Sequence, residues 1–372
     1  MRNLMPLNIS HPDKAHFFDF DPAELKGRMA ELGWPAFRAE QLRDWVYRKS
    51  IVDVEAMTNF GKLDRVRLAE QFDFASAEIV RRQESSDGTL KLLLRWANGA
   101  VAEAVMIPDG VRRTACVSSQ VGCPVGCKFC ASGMDGVKGN LTAGQIVEQV
   151  FALNRVLAAG VPLERQVLVN HIVFMGMGEP LANYANVMKA IRIIHDPGCF
   201  NIGARKITLS TVGVPAKMRE LAGENLPINL AISLHAPNEP LRKQLIPWAE
   251  HFSLDDILAG ARYYFEQTGR EVTLEYILLR DVNDRPEHAK QLVTICKKMR
   301  ANVNLIRYNE VEGLEFRRPG SEDVMQFQEI LRAGGVNAHV RKSRGRDIDA
   351  ACGQLRRRED QSMGGLPILA NG

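Results

Sequence analysis

The sequence predicts an α/β protein: a partial (β/α)6 barrel preceded by a small helical N-terminal domain and a β-hairpin linker. Three observations carry this. Six short apolar runs alternate with six longer helical stretches over the C-terminal part of the chain, the pattern of a parallel sheet with helical crossovers. The N-terminal part has helical periodicity and no such alternation. The polar and glycine-rich strings fall just after the apolar runs, where a parallel barrel gathers its ligand-binding loops.

The helical region runs from about Pro22 to Phe72, broken at Gly33-Trp34-Pro35 and Asn59-Phe60-Gly61. Within it Arg38, Gln41, Leu42, Trp45, Val46 and Lys49 form one apolar stripe with a basic flank. Alternation over Leu90–Trp96 and Val101–Ile107, with Asn98-Gly99 between, reads as a hairpin. The apolar runs that follow are Thr114–Ser118, His171–Met175, Lys206–Ser210, Asn229–Ser233, Glu271–Leu278 and Asn302–Ile306. Between and after them lie the helical stretches Thr142–Leu157, Asn183–His195, Pro215–Ala222, Ser253–Thr268, Arg285–Met299 and Glu322–Ala333. Eight units would close a barrel, so six leave it open on one side; a doubly wound sheet is the competing arrangement. The expected division is residues 1–98, 99–345 and 346–372, with the end from Arg356 onward disordered.

Composition narrows the class. Hydrophobic content of 45% and charged content of 25% are those of an ordinary soluble protein. No apolar run approaches the ~20 residues that span a bilayer, and Met1 to Lys14 lacks the apolar stretch of a secretory signal. Seven cysteines without a regular framework argue against a secreted disulfide scaffold. A monomer in a reducing cytoplasm, without membrane contact, is the expectation. The net charge of +4 permits an anionic partner without demanding one. Basic residues bunch at Arg341, Lys342, Arg344 and Arg346 and again at Arg356, Arg357 and Arg358.

Chemistry concentrates in Cys116-Val-Ser-Ser-Gln-Val-Gly-Cys123-Pro-Val-Gly-Cys127-Lys-Phe-Cys130. Thiolates suit iron–sulfur clusters, zinc or copper(I). Cys123, Cys127 and Cys130, with Gly122 and Gly126 easing the loop, can wrap one [4Fe–4S] cubane and leave one iron open. A structural zinc site needs four ligands, and Cys116 can supply the fourth. Cys199 and Cys296 read as inert core residues.

The CxxxCxxC loop after the first strand, with Phe129 before its last cysteine, resembles the radical S-adenosylmethionine superfamily, whose partial barrel and glycine-rich segment Gly176-Met-Gly-Glu-Pro180 also matches. Two longer strings are similar to the RlmN/Cfr family within it: Val117-Ser-Ser-Gln-Val-Gly-Cys123 and Asp347-Ile-Asp-Ala-Ala-Cys352-Gly-Gln-Leu355. That resemblance implies a [4Fe–4S] cluster on Cys123, Cys127 and Cys130. It implies S-adenosylmethionine, two per turnover, contacted by Gly178, Glu179, Ser210, Ser233, Leu234, His235 and Asn309. It further implies methylation of C2 of adenosine in 23S rRNA and tRNA through a methylated Cys352. Cys116 would then release product by a transient disulfide with Cys352, and Glu103 would act as proton acceptor. An external one-electron reductant of flavodoxin type completes the set.

Adenine C2 has no acidic hydrogen, so displacement on a sulfonium by that carbon alone is excluded and radical chemistry is expected. Methylation at adenine C8, the sister activity of the same family, and a zinc-stabilised RNA-binding protein without catalysis are the competing readings. A base inside a duplex must be unstacked or flipped to be reached. Arg38, Arg43, Arg48, Lys49 and the run Arg341–Arg346 are the expected phosphate contacts.

Overall fold

In a computed structural model that describes residues 14–355, the helical and strand patterns resolve into one ten-stranded sheet with helices around it. The arginine run Arg356–Arg358 and the expected disordered end lie outside the described residues.

Helix α1 (Pro22–Glu31) starts at a capping box in which the Asp21 carboxylate accepts from Glu24 N while Glu24 accepts from Asp21 N, and Pro22 fits the first turn. Helices α2 (Phe37–Arg43) and α3 (Lys62–Gln71) follow, separated by the predicted breaks. An aromatic cluster joins this region to the barrel: Phe18 packs on Phe151 at 4.9 Å and Tyr47 on Phe200 at 5.0 Å between ring centroids.

Strands β1 (Glu78–Glu84), β2 (Leu90–Arg95), β3 (Val101–Asp109) and β4 (Arg112–Cys116) pair antiparallel in sequence order. From β4 the sheet becomes parallel. It continues through β5 (His171–Phe174), β6 (Ile207–Thr211), β7 (Asn229–Ser233), β8 (Val272–Leu278), β9 (Ala301–Arg307) and β10 (Ala338–Arg341). The predicted hairpin is β2–β3, registered Leu93 to Glu103 and Lys91 to Val105.

The six expected barrel strands are all present, and β10 adds a seventh parallel strand that the sequence reading omitted. It is four residues long and carries polar His339 and Arg341, so it has no apolar run to announce it. β1 also escaped, because a half-exposed edge strand has little alternation. The crossovers α4 (Ala143–Ala158), α5 (Tyr184–His195), α6 (Pro215–Ala222), α7 (Glu239–Leu245), α8 (Leu254–Thr268), α9 (Pro286–Lys297) and α10 (Ser321–Ala333) match prediction except for α7, which is new. Thr142 and Gln145 cap α4 reciprocally, Gln145 N donating to Thr142 Oγ1 at 3.2 Å and Thr142 N to Gln145 Oε1 at 3.0 Å.

One large core fills the space between sheet and helices, from Phe17 to Ala338. Two smaller apolar clusters sit at the strands' C-terminal rim, one beside Cys123, Cys127, Cys130 and Cys352 and one containing Cys116. Among the described residues no helix is long and apolar enough to cross a membrane.

Candidate active site

The loop from β4 to α4 carries the three cysteines and is bent back by its glycines. A Cβ on Gly122 would lie 2.0 Å from the Gly136 carbonyl oxygen, and φ there is +78°, so only glycine permits the turn. Cys123, Cys127 and Cys130 open on a cavity of about 140 Å³, together with Gly178, Glu179, Ser210, Ser233 and His235. Strands β4 to β7 therefore deliver their predicted polar ends to one place, as a parallel barrel requires.

Each predicted contact has a defined environment. Both Glu179 oxygens already accept backbone N–H groups, from Leu181 and Val212 at 2.9 Å each, so this carboxylate braces the glycine-rich turn against the end of β6. Burial raises its pKa against these hydrogen bonds. Ser210 and Ser233 Oγ atoms lie 3.2 Å apart. His235 has φ +57°, stacks edge-on to Phe129 at 5.0 Å, and accepts from Ile277 N at Nδ1 (3.0 Å). Burial, helped by the Arg242 cation, lowers its pKa to about 3. His235 is thus neutral, with its proton on Nε2. The Leu234 side chain is fully buried in the main core, so its backbone, whose N donates to Glu275 O at 3.0 Å, is the part that faces the site.

Cys116 and Asn309 line an adjoining cavity, and Cys352 lines both. Asn309, 1% exposed, donates to the Cys352 carbonyl at 3.3 Å and accepts from Arg318 at 3.0 Å. Ala131 N donates to Gly353 O at 2.8 Å, and Ser132 Oγ to Leu355 O at 2.7 Å, tying the Cys352 segment to the loop that follows Cys130. Cys116 is buried and its thiol is pushed up to about 12, by burial first and then by the neighbouring Cys352, against the pull of Arg341. All the cysteines are free thiols.

Cys116 therefore faces Cys352 and stands apart from the other three, which removes it as a fourth zinc ligand. Among the described residues no three His, Cys, Asp or Glu side chains converge on a single ion. Cys123, Cys127 and Cys130 line one cavity, an arrangement that fits a multi-iron cubane with one open iron. Burial raises all three thiols, Cys123 to about 12; a cationic metal centre held here would reverse that balance and keep them as thiolates.

Three residues have roles at the site that were not read from sequence. Arg242 on α7 is 1% exposed, donates to Val212 O at 2.6 Å and brings a buried cation near Cys127. Arg341, expected to be a phosphate contact, is 30% exposed, and its Nη1 meets Glu275 at 3.2 Å and Met175 Sδ at 3.5 Å, beside Cys116 and Cys352. Lys91 pairs with Glu103 at 3.1 Å, both side chains being less than 10% exposed. Glu103 is therefore no exposed strand carboxylate; it lines a third cavity of about 310 Å³ with Asp349 and Gln354. None of the three carries a local signal, since each contact is made across strands or by a segment far along the chain.

A partial parallel barrel whose first-strand loop presents three cysteines to a cavity with a glycine-rich turn defines a radical S-adenosylmethionine enzyme. Comparison with known proteins agrees: the radical SAM superfamily matches residues 117–293, and the ribosomal RNA large subunit methyltransferase N-terminal domain matches residues 15–73. A probable dual-specificity RNA methyltransferase RlmN of Symbiobacterium thermophilum is 48% identical over 337 residues, 90% of this chain and 89% of the relative. One from Rhodopirellula baltica is 43% identical over 346 residues, 93% of this chain and 92% of the relative. The crystal structure of a radical SAM methyltransferase from Sphaerobacter thermophilus superposes with a TM-score of 0.88 at 43% identity, covering 92% of this chain and 99% of that one. The chain belongs to the RlmN family of radical S-adenosylmethionine RNA methyltransferases.

Proposed function

We propose that this protein methylates C2 of adenosine in 23S rRNA and in tRNA, through a methylated Cys352 and a covalent protein–RNA adduct. The observation that supports it most is the placement of Cys352 between two cavities, one rimmed by Cys123, Cys127 and Cys130 and the other by Cys116. One thiol thus meets both the cofactor face and a second thiol able to release it.

When bound, the [4Fe–4S] cluster on Cys123, Cys127 and Cys130, with two S-adenosylmethionine molecules per turnover, supplies the methyl group and the one-electron chemistry that joins the methyl carbon to C2. Gly178, the Ser210–Ser233 pair, neutral His235 and the backbone at Leu234 give the cofactor polar and edge-on contacts, with Glu179 bracing the turn. Cys352 as thiolate accepts the methyl group, and Asn309 holds its backbone. Glu103 would take the C2 proton of the adduct, the C–H electron pair returning to the ring, and the one odd electron left by the radical joining would pass back to the cluster. Cys116 then attacks the Cys352 sulfur: the S–S bond forms, the carbon–sulfur bond breaks, and the carbon keeps the pair and takes a proton to become methyl. An external flavodoxin-type donor supplies electrons, and the family relatives named for RNA supply the substrate class.

The test uses three proteins and one RNA. Digestion of RNA methylated by the wild type should place the methyl group on C2, and a C8 product would replace this reading with the sister activity. Cys352→Ala should abolish methylation. Cys116→Ala should accumulate RNA covalently bound to protein, visible as a shifted band on denaturing gels; normal turnover of that variant would sink the resolving role.

A further inference from the structure

The β1–β2 hairpin grips the segment that leads to Cys352. Ser85 Oγ and Ser86 N donate to Asp347 at 2.6 and 3.1 Å, and Gly345 N donates to Asp87 at 3.0 Å. Lys91 is the third grip. Its ammonium donates to the Asp349 carbonyl at 3.1 Å and meets Glu103 Oε1 at 3.1 Å. The geometry explains the pairing: Leu93 lies opposite Glu103 and Lys91 two residues along on the same sheet face, a diagonal cross-strand pair.

A buried lysine is costly to keep without a partner, and replacement of such a pair by apolar residues is often neutral or stabilising. Stability therefore gives little reason for an ammonium here. Its position gives another. Lys91, Glu103, Asp349 and Gln354 line the same third cavity, and Asp349 and Gln354 flank Cys352 in the chain. One cation thus links the carboxylate assigned as proton acceptor to the segment that carries the methylated sulfur.

We propose that Lys91 is a positioning residue, holding the Glu103 carboxylate and the Cys352 segment in register so that the C2 proton is removed from the adduct. This rests on the proton-acceptor role of Glu103. The lysine neither gives nor takes a proton: the C2 proton passes to Glu103, and Lys91 fixes the oxygen beside the one that receives it, with the ammonium offsetting the carboxylate's charge. Methylation of Cys352 precedes that step and does not need the pair. The lesion from losing Lys91 is therefore late in the cycle.

The experiment compares Lys91→Ala with Glu103→Gln in the cluster-loaded full chain, using wild type as reference. Mass spectrometry of Cys352 reports the early half-reaction, and denaturing gels report the RNA adduct. Lys91→Ala should keep S-methylation of Cys352 and its KM for S-adenosylmethionine. Product formation should fall about tenfold or more, consistent with a misplaced general base, while the adduct accumulates. Added propylammonium, small enough for the vacated space, should restore part of the turnover; Glu103→Gln should accumulate adduct without such rescue. Wild-type turnover by Lys91→Ala overturns the inference. So does loss of Cys352 methylation and adduct together, which marks a merely structural defect. Should Glu103→Gln turn over normally, the proton-acceptor reading fails and this inference with it; an impaired Glu103→Gln beside an unimpaired Lys91→Ala removes only the lysine's role.

Discussion

A Cβ built on Gly178 lies 2.7 Å from both the Gln120 Cβ and the Ser119 Oγ, and the backbone there has φ +104°. Two independent constraints thus fall on one residue: a torsion that side chains rarely adopt and a contact with the start of the loop that leaves β4. Gly178→Ala should cost about 1–3 kcal/mol of strain, and more through the displaced turn, because Glu179 N is fixed to Gln120 Oε1 at 2.9 Å. We expect a lower urea midpoint together with weaker S-adenosylmethionine binding in equilibrium dialysis; unchanged binding would show that the turn only shapes the fold. This position was legible in the sequence because the glycine string and the cysteine spacing are local patterns. Lys91, Arg242 and Arg341 were not, since their roles come from partners such as Glu103, Cys127 and Glu275 that only strand pairing brings near.

At the scale of elements, the N-terminal region is latched to the barrel by one buried carboxylate. Glu148 on α4 accepts from His16 Nε2 at 3.0 Å, Ser76 Oγ at 3.0 Å, Ala77 N at 2.9 Å and Trp96 Nε1 at 2.7 Å. Burial by itself lowers the His16 pKa, but the charge and hydrogen bond of Glu148 outweigh it, so the imidazole ends above its ordinary 6.5. Burial likewise works to raise Glu148, and His16 with the other donors brings it below its ordinary 4.5. The histidine's contribution is complete below 6.5 and fades as pH rises through its raised value. The glutamate's is complete above 4.5 and fades as pH falls through its lowered value. The latch is therefore fully formed between 4.5 and 6.5. Urea unfolding of wild type and His16→Gln should differ most in that window and converge toward alkaline pH; a pH-independent gap would mean that the imidazole is not charged. Glu148→Ala should cost about 3–5 kcal/mol, leaving several donors buried without a partner. None of this was visible in sequence, where His16 and Glu148 are ordinary residues far apart. Elements with strong apolar runs and caps, such as α4 and β8, were read correctly; polar β1 and short β10 were not.

Across the whole molecule, the helical region packs on α4 and the turn after α5 through Phe18–Phe151 and Tyr47–Phe200, and its surface chemistry bears on where a large anionic partner can sit. The basic residues expected there divide by burial. Arg43 is 11% exposed and pairs with Asp196 at 3.2 Å across to the barrel, and Arg38, 21% exposed, is spent on Asn59 O and Gln41. Arg48 and Lys49 are more exposed, at 64% and 43%; both pair with Asp44, at 3.7 and 3.0 Å, and Lys49 also lies 3.8 Å above Trp45. A cation held over the half-buried Trp45 ring is a fixed positive charge that a phosphate can meet. If RNA docks here, Arg48→Ala with Lys49→Ala should weaken binding of a stem-loop RNA and flatten the log K against log salt slope by about 1.5. Cluster assembly and S-adenosylmethionine binding, seated on the barrel, should not change. Arg43→Ala is the contrasting case: loss of its bridge should lower the thermal midpoint and leave the salt slope alone. Equal slopes for the double variant and wild type would move the RNA path elsewhere on the basic surface, away from these helices.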